Sequence, residues 1–357
     1  MAIAVLVSGG VDSAVALARL VRAHGPREVV AFYLKIWLED ELAFLGSCPW
    51  EEDLRYARAT AALLGVPLEV VPLQRRYHEA VVARAVAELA RGRTPSPDLH
   101  CNTEIKYGAF VEAVGAGFER VATGHYARVA ERAGRRVLLA ARDPVKDQTY
   151  FLSRLAPEQL ARALVPIGDL TKAEVRAEAA ALGLPPAERP DSQGICFLGK
   201  IPYPAFVRAH LGDSPGPIVD VDTGRTLGEH RGLWFHTIGQ RQGLGLGGGP
   251  WFVVDKDVAG RALRVAHASR LAAHRRVDLE IEDLRWPGGE AAWARATTLK
   301  LRHGPARLAC RVEAPDEDDG HVARLRVRLA EPEPGVAPGQ FVVLYDGDVC
   351  LGSGVIR

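Results

Sequence analysis

The chain has 357 residues, more than one hydrophobic core normally serves, so two or three domains are expected. Hydrophobic residues at 48% and charged residues at 25% match ordinary globular proteins and exclude a disordered or fibrous chain. A formal net charge of +1 gives no global sign of a nucleic-acid binder, so any basic surface must be a local patch.

The N-terminus, MAIAVLVSGGVDS, lacks the basic start and the cleavage site of a signal peptide, and no apolar run approaches the roughly 18 residues a membrane span needs. A cytoplasmic protein without a membrane partner is expected. Residues 2–7 (AIAVLV) read as a buried strand and residues 12–25 as a helix ended by glycine. The cycle repeats: EVVAFYLKIW as a strand, EEDLRYARATAALLG as a helix, PLEVVPL as a strand, and a helix over residues 77–91. A fourth strand, RVATG, is followed by a hairpin through RVLLAA and helices at residues 156–163 and 172–182. Strands alternating with helices predict a parallel sheet covered on both faces. Past PPAERPDSQG and IPYPAFVRAHLG, short strands are separated by Gly, Pro and Asp turns, which predict small β domains. The expected division is residues 1–200 as a nucleotide-binding α/β domain, 201–273 as a small central β domain and 274–357 as a C-terminal β-barrel.

The sharpest local signal is Ser8-Gly9-Gly10-Val11-Asp12-Ser13, between the first strand and its helix. Glycines there let backbone amides approach phosphate oxygens, serines add hydroxyl donors, and a helix N-terminus favours an anion, so a pyrophosphate site is expected over an ordinary tight turn. A Walker-like stretch, Gly194 to Lys200, fails because Ile201 stands where a Mg²⁺-binding Ser or Thr is needed.

Five cysteines (Cys48, Cys101, Cys196, Cys310, Cys350) form no CxxC, and their odd, scattered occurrence argues against a secreted disulfide framework and against zinc ribbons. Cys101 follows the Pro-rich TPSPD and precedes a helix expected to start near Thr103, a setting that can lower a thiol pKa, with Asp98 available for proton transfer. A buried thiol explains Cys101 equally well, and Ile-Cys-Phe around Cys196 by itself reads as packing. Cys48, Cys310 and Cys350 read as packing.

Taken together, SGGVDS, GRTPSPDLHCN, ATGHYAR, KDQTYFL, DSQGICF, HTIGQRQGLGLGG, VVDKD and APGQFVVLYDGDVCLGSGVI closely resemble the bacterial tRNA-specific 2-thiouridylase family of the PP-loop ATP pyrophosphatases, over essentially the whole chain. The resemblance implies an adenylating N-terminal domain, a small central β domain and a tRNA-holding β-barrel. It implies ATP- and Mg²⁺-dependent thiolation of the wobble uridine (position 34) through adenylation of the 2-oxygen, with AMP and pyrophosphate released.

By the same resemblance, Ser8, Gly9, Gly10, Val11, Asp12, Ser13, Leu34 and Gly124 form the ATP site, Leu34 standing where relatives often have Met. Cys101 is the nucleophile, Cys196 the persulfide carrier and Asp98 a proton shuttle. Ser96, Pro97 and Asp98 meet the target base, Ser96 replacing a frequent Asn. His125, Lys146, Asp147, Gln148, Arg302, His303 and Gln340 lie near tRNA, with Arg302-His303 in place of a more usual Arg-Tyr. The partners implied are the tRNA anticodon loop of Lys, Glu and Gln acceptors, and a sulfur-relay protein or cysteine desulfurase. An iron–sulfur cluster on Asp98, Cys101 and Cys196 is the less favoured arrangement. Two further readings stand beside this one: an RNA-binding module regulated by ATP, and a PP-loop synthetase acting on a small molecule.

Overall fold

Strand β1 (Ile3–Leu6) is apolar at every position because both of its faces are covered. Ala4 and Leu6 join a core with Phe32, Tyr107 and Phe110, while Ile3 and Val5 pack with Leu17, Leu54 and Ala57 on the opposite face. The computed structural model describes residues 2–36, 50–114, 117–191, 201–289, 291–313, 316–318 and 321–357. Beside β1 run β2 (Val29–Lys35) and β3 (Leu68–Pro72) on one side and β4 (Arg120–Ala122) on the other. A hairpin of β5 (Arg128–Arg132) and β6 (Arg135–Leu139) follows, then a two-residue strand β7 (Ala163–Leu164) beyond β4. The sheet order is β3-β2-β1-β4-β7, all parallel, so the winding reverses between β1 and β4. Ligands of such sheets bind at the carboxyl ends of the strands flanking that reversal.

Two expectations are corrected. The helix placed at residues 77–91 begins earlier, as Gln74–Tyr77 continuing through His78–Val82 and Ala83–Ala90. The helix expected near Thr103 starts at Pro97: Pro97–His100 runs straight into Cys101–Ala109, because Pro97 at the first helical position has its φ preset and no N–H to leave unpaired. Cys101 therefore lies one turn inside a helical run rather than before one.

The central sheet comprises β8 (Gly216–Asp220), β9 (Thr226–His230), β10 (Trp251–Asp257) and β11 (Ala262–His267) in the order β10-β11-β8-β9. The last strands are β12 (Arg276–Arg285), β13 (Thr298–Lys300), β14 (Leu308–Val312), β15 (Asp316–Asp318), β16 (His321–Glu333), β17 (Phe341–Asp346) and β18 (Val349–Ile356). The antiparallel path β12-β16-β14-β13-β17-β18 returns to β12, closing a six-stranded barrel without a free edge.

Alternation along β17 joins the barrel to the first domain. Val342 and Leu344 point into the barrel with Leu299 and Leu325, whereas Phe341, Val343 and Tyr345 enter the core that holds Tyr150 and Leu152. The hairpin β5–β6 also crosses over: Leu138 and Leu139 pair with Cys350 and Val349 of β18, so it extends the barrel sheet rather than the parallel one. Among the described residues no helix is long and apolar enough to cross a membrane.

Candidate active site

At the carboxyl end of β1 the chain turns through Ser8, Gly9 and Gly10 into the helix Val11–His24. Gly9 has φ 77, and a Cβ on it would lie 2.2 Å from the Asp53 carbonyl oxygen, so this close turn requires glycine. The Ser13 hydroxyl, which accepts from the Ser8 amide at 3.1 Å and donates to the Gly10 carbonyl at 3.0 Å, ties the loop to the first helical turn. Across the β1/β4 reversal, Gly124 presses on the same helix start, where an added Cβ would meet the Ser13 nitrogen at 2.7 Å. The predicted loop residues and Gly124 are thus brought together, with amides at a helix N-terminus suited to an anion. Leu34, near the end of β2, is half-buried against the core beside this edge.

Charged side chains surround the loop, among them Lys172, Arg176 and Arg189, which the motif reading did not single out. Lys172 Nζ lies 2.7 Å from Asp12 Oδ1 and 2.8 Å from Asp191 Oδ1, and the Tyr126 hydroxyl donates to Asp12 Oδ1 at 2.7 Å. Burial and the Asp12 carboxylate keep the Tyr126 phenol protonated. Lys146 and Arg176 also reach Asp191, at 2.7 and 2.6 Å. Against the pull of burial, the hydrogen bonds from Lys146 and Lys172 hold the Asp191 carboxyl well below the usual carboxylate range. Arg189 clamps the turn, donating to the Gly9 carbonyl at 2.8 Å and to Asp53 at 2.8 Å while lying over the Tyr56 ring. Lys172, Arg176 and Arg189 are remote in sequence from SGGVDS, so no local pattern announces them.

The second group gathers on the Pro97–His100 turn. Asp98 and Cys101 are three residues apart on a helical run and so share a face, and Cys101 is 3% exposed. Asn102 braces this turn by donating to the carbonyls of Asp98 (3.0 Å) and Phe151 (3.1 Å). Ser96 stands at the N-cap position of the turn, and the buried Tyr150 hydroxyl lies within hydrogen-bond distance of the Phe341 and Leu301 carbonyls, at 3.3 and 3.4 Å. The segment before Ser96 is held from both β domains, Thr94 donating its amide to the Pro338 carbonyl (2.8 Å) and sharing a 2.8 Å hydroxyl contact with Thr237. Cys196, the predicted persulfide carrier, lies outside the described residues, as does Cys48. Of the residues flanking the Cys196 segment, Asp191 sits at the nucleotide loop, and Ile201 is buried in the core that contains Cys101.

The residues expected near tRNA divide into surface and interior. Lys146, Arg302 and His303 reach the surface, Arg302 pairing with Glu333 at 3.3 Å. His303 stacks on Phe151 at 4.7 Å between ring centroids and 18° between planes. Gln148 is half-buried, accepting from the Tyr126 amide at 3.0 Å, and Gln340 is half-buried with its Oε1 unpaired among the described residues. Asp147 and His125 are interior. Asp147 is 3% exposed and receives Lys300 Nζ at 2.8 Å and the Thr149 hydroxyl at 2.9 Å. His125 is 8% exposed, its Nδ1 sits 2.7 Å from the Thr123 hydroxyl, and burial with Lys106 nearby holds it neutral. Among the described residues no three His, Cys, Asp or Glu side chains form a metal cage.

Family models match in three consecutive stretches: a "tRNA methyl transferase HUP domain" over residues 1–200, a "tRNA methyl transferase PRC-barrel domain" over 204–267 and an "Aminomethyltransferase beta-barrel domain" over 276–356. The chain is 43% identical to the tRNA-specific 2-thiouridylase MnmA of Parabacteroides distasonis over 100% of this chain and 99% of that one. It is 44% identical to MnmA of Porphyromonas gingivalis, again over 100% and 99%, and 43% identical to MnmA 2 of Bacteroides fragilis over 100% of both. A closed barrel following a PP-loop sheet, with identity of this order along the full length, leaves one conclusion: the chain belongs to the tRNA-specific 2-thiouridylase family.

Proposed function

We propose that this cytoplasmic protein uses ATP to convert the 2-oxygen of the tRNA wobble uridine to sulfur, working on the anticodon loop of Lys, Glu and Gln acceptors. The observation that carries the reading is the glycine turn of residues 8–13 at the β1/β4 reversal, in a chain that matches curated 2-thiouridylases end to end. The target base must leave its stack, because a carbonyl buried between neighbours cannot meet a nucleotide; unstacking is cheapest in a loop. The Ser96–Asp98 turn, pinned by all three domains, is our candidate base pocket, and the exposed His303 ring is a platform for a neighbouring base.

The uridine 2-oxygen attacks the α-phosphorus of ATP and pyrophosphate leaves, stabilised by amides and cations at the residue 8–13 loop. Mg²⁺ bound to the nucleotide phosphates would offset their charge, a role needing few protein ligands. A sulfur-relay protein or cysteine desulfurase loads Cys196 as a persulfide. The terminal sulfur then attacks C2 of the adenylated base, the C2–O bond breaks and AMP departs. Cys101 thiolate attacks the Cys196 sulfur, the S–S bond breaks toward the base, and 2-thiouridine and a Cys101–Cys196 disulfide remain. A dithiol reductant restores both thiols. Asp98, on the same face as Cys101, accepts the Cys101 proton.

The test is incubation with ATP, Mg²⁺, a persulfide donor and unmodified tRNA, with mass spectrometry of the digested RNA. A gain of 2-thiouridine by the wild type and its loss in Cys196→Ala supports the reading. Methylated uridine, or AMP formed on a small molecule without tRNA, overturns it.

A further inference from the structure

Among the described residues, four cationic side chains lie at the nucleotide loop or on Asp191 beside it, and their partners distinguish them. Arg189 is committed to the turn itself, through the Gly9 carbonyl, Asp53 and the Tyr56 ring. Lys146 and Arg176 each bind Asp191. Lys172 bridges Asp12 of the loop's helix at 2.7 Å and Asp191 at 2.8 Å, and both carboxylates keep another donor without it. Asp12 retains the Tyr126 hydroxyl, and Asp191 retains Lys146 and Arg176. Moving Lys172 Nζ toward a ligand therefore strands no buried charge, which is the usual obstacle to breaking an enclosed ion pair.

The rest of Lys172 is built to stay still. It is the first residue of the helix Lys172–Ala181, capped by the reciprocal Thr171–Glu174 pair. Its own amide donates to Asp143 Oδ2 at 2.9 Å, and its side chain is only 14% exposed. A solvated surface lysine would show neither the enclosure nor the anchored backbone.

We propose that Lys172 is the phosphate-binding lysine of this site, transferring its ammonium from Asp12 and Asp191 to the phosphate oxygens of ATP, and to the departing pyrophosphate. The proposal rests on the ATP-dependent reading above and adds a residue to it. A charge-assisted hydrogen bond of this kind is worth about 1.5–3 kcal/mol, which converts to roughly 10- to 150-fold in affinity.

The experiment measures calorimetric affinity of the full-length protein for ATP and for adenosine, in wild type, Lys172→Met and Lys172→Arg, alongside tRNA affinity. Lys172→Met is expected to lose at least tenfold for ATP while adenosine and tRNA binding stay within about twofold, and Lys172→Arg is expected to recover most of the ATP affinity. Equal loss for ATP and adenosine, or no loss for ATP in a folded Lys172→Met, overturns the assignment and leaves an ordinary ion pair. Should Lys172→Met not fold, Lys172→Arg and Lys172→Gln carry the same comparison: ATP-to-adenosine discrimination equal in the two variants overturns it. A wild type that binds neither ATP nor adenosine overturns the ATP-dependent reading, and the assignment with it; that outcome differs from each of the variant failures above.

Discussion

Lys300 Nζ lies 2.8 Å from Asp147 Oδ2, with the two side chains 1% and 4% exposed, and this enclosed pair fastens the barrel strand β13 to the first domain. Thr149 extends the contact by donating to Asp147 and meeting the Tyr345 hydroxyl at 2.9 Å. Removing one member leaves an uncompensated charge inside the protein. Lys300→Met is expected to cost about 3–5 kcal/mol, and Lys300→Met with Asp147→Leu clearly less. Denaturant melts of the three proteins check this; a double variant no better than the single would refute the enclosed-charge account.

Gly9→Ala is expected to impair nucleotide binding more than Gly10→Ala. A Cβ at Gly9 collides with the Asp53 carbonyl at 2.2 Å at a positive φ, whereas one at Gly10 finds its nearest neighbour, the Ser8 hydroxyl, at 3.4 Å. Strain of this kind costs about 1–3 kcal/mol. ATP titration of both variants decides it, and equal affinities would contradict the geometry.

The His303 ring stacks on Phe151 and remains exposed, so His303→Ala is expected to weaken tRNA binding by roughly 5- to 150-fold, the range for one base–ring stack of about 1–3 kcal/mol. His303→Tyr should retain most of the affinity. Desolvation, with Lys300 and Lys146 adding to it, lowers the His303 pKa, so the ring is neutral at pH 7 and tRNA affinity should show no titration step of His303 between pH 7 and 8. Filter binding across pH, with each variant, tests both statements.

His100, next to Cys101, sits at about 3 because of burial and then the charges of Arg84 and Arg154; His236 is lowered to about 4 by burial, with His230 and Lys256 adding to it. A depressed histidine is neutral in the folded state while the unfolded chain takes up a proton below about 6.5. Its stabilising effect is complete above pH 6.5 and is lost as pH falls toward 3 to 4. The expected slope is at most about 1.4 kcal/mol per pH unit for each ring. His100→Asn should flatten the stability profile between pH 6 and 4; an unchanged slope would remove His100 as its source.

Much of the first domain is legible because its physics is local. Strand β1 is apolar throughout since both faces are covered, and two glycines with flanking serines at a strand-to-helix turn have few other uses. The start of the helix holding Cys101 is not legible, because two prolines in TPSPD read as continued extension, whereas Pro97 opens the helix. The strand β7 leaves no sequence signal, because two residues carry no periodicity.

The linear sequence carries the order of elements and the glycine turn of residues 8–13, and through motif resemblance it carries the expectation for the thiol and base-contacting positions. Tertiary packing sets the rest: the β5–β6 hairpin extends the barrel sheet from β18, Asp147 is an interior partner of Lys300, and Lys172, Asp191 and Arg189 converge on the loop. The reason is separation along the chain. A pair 153 or 160 residues apart is chosen by packing and by the need to neutralise enclosed charge, and no short window of sequence contains both members.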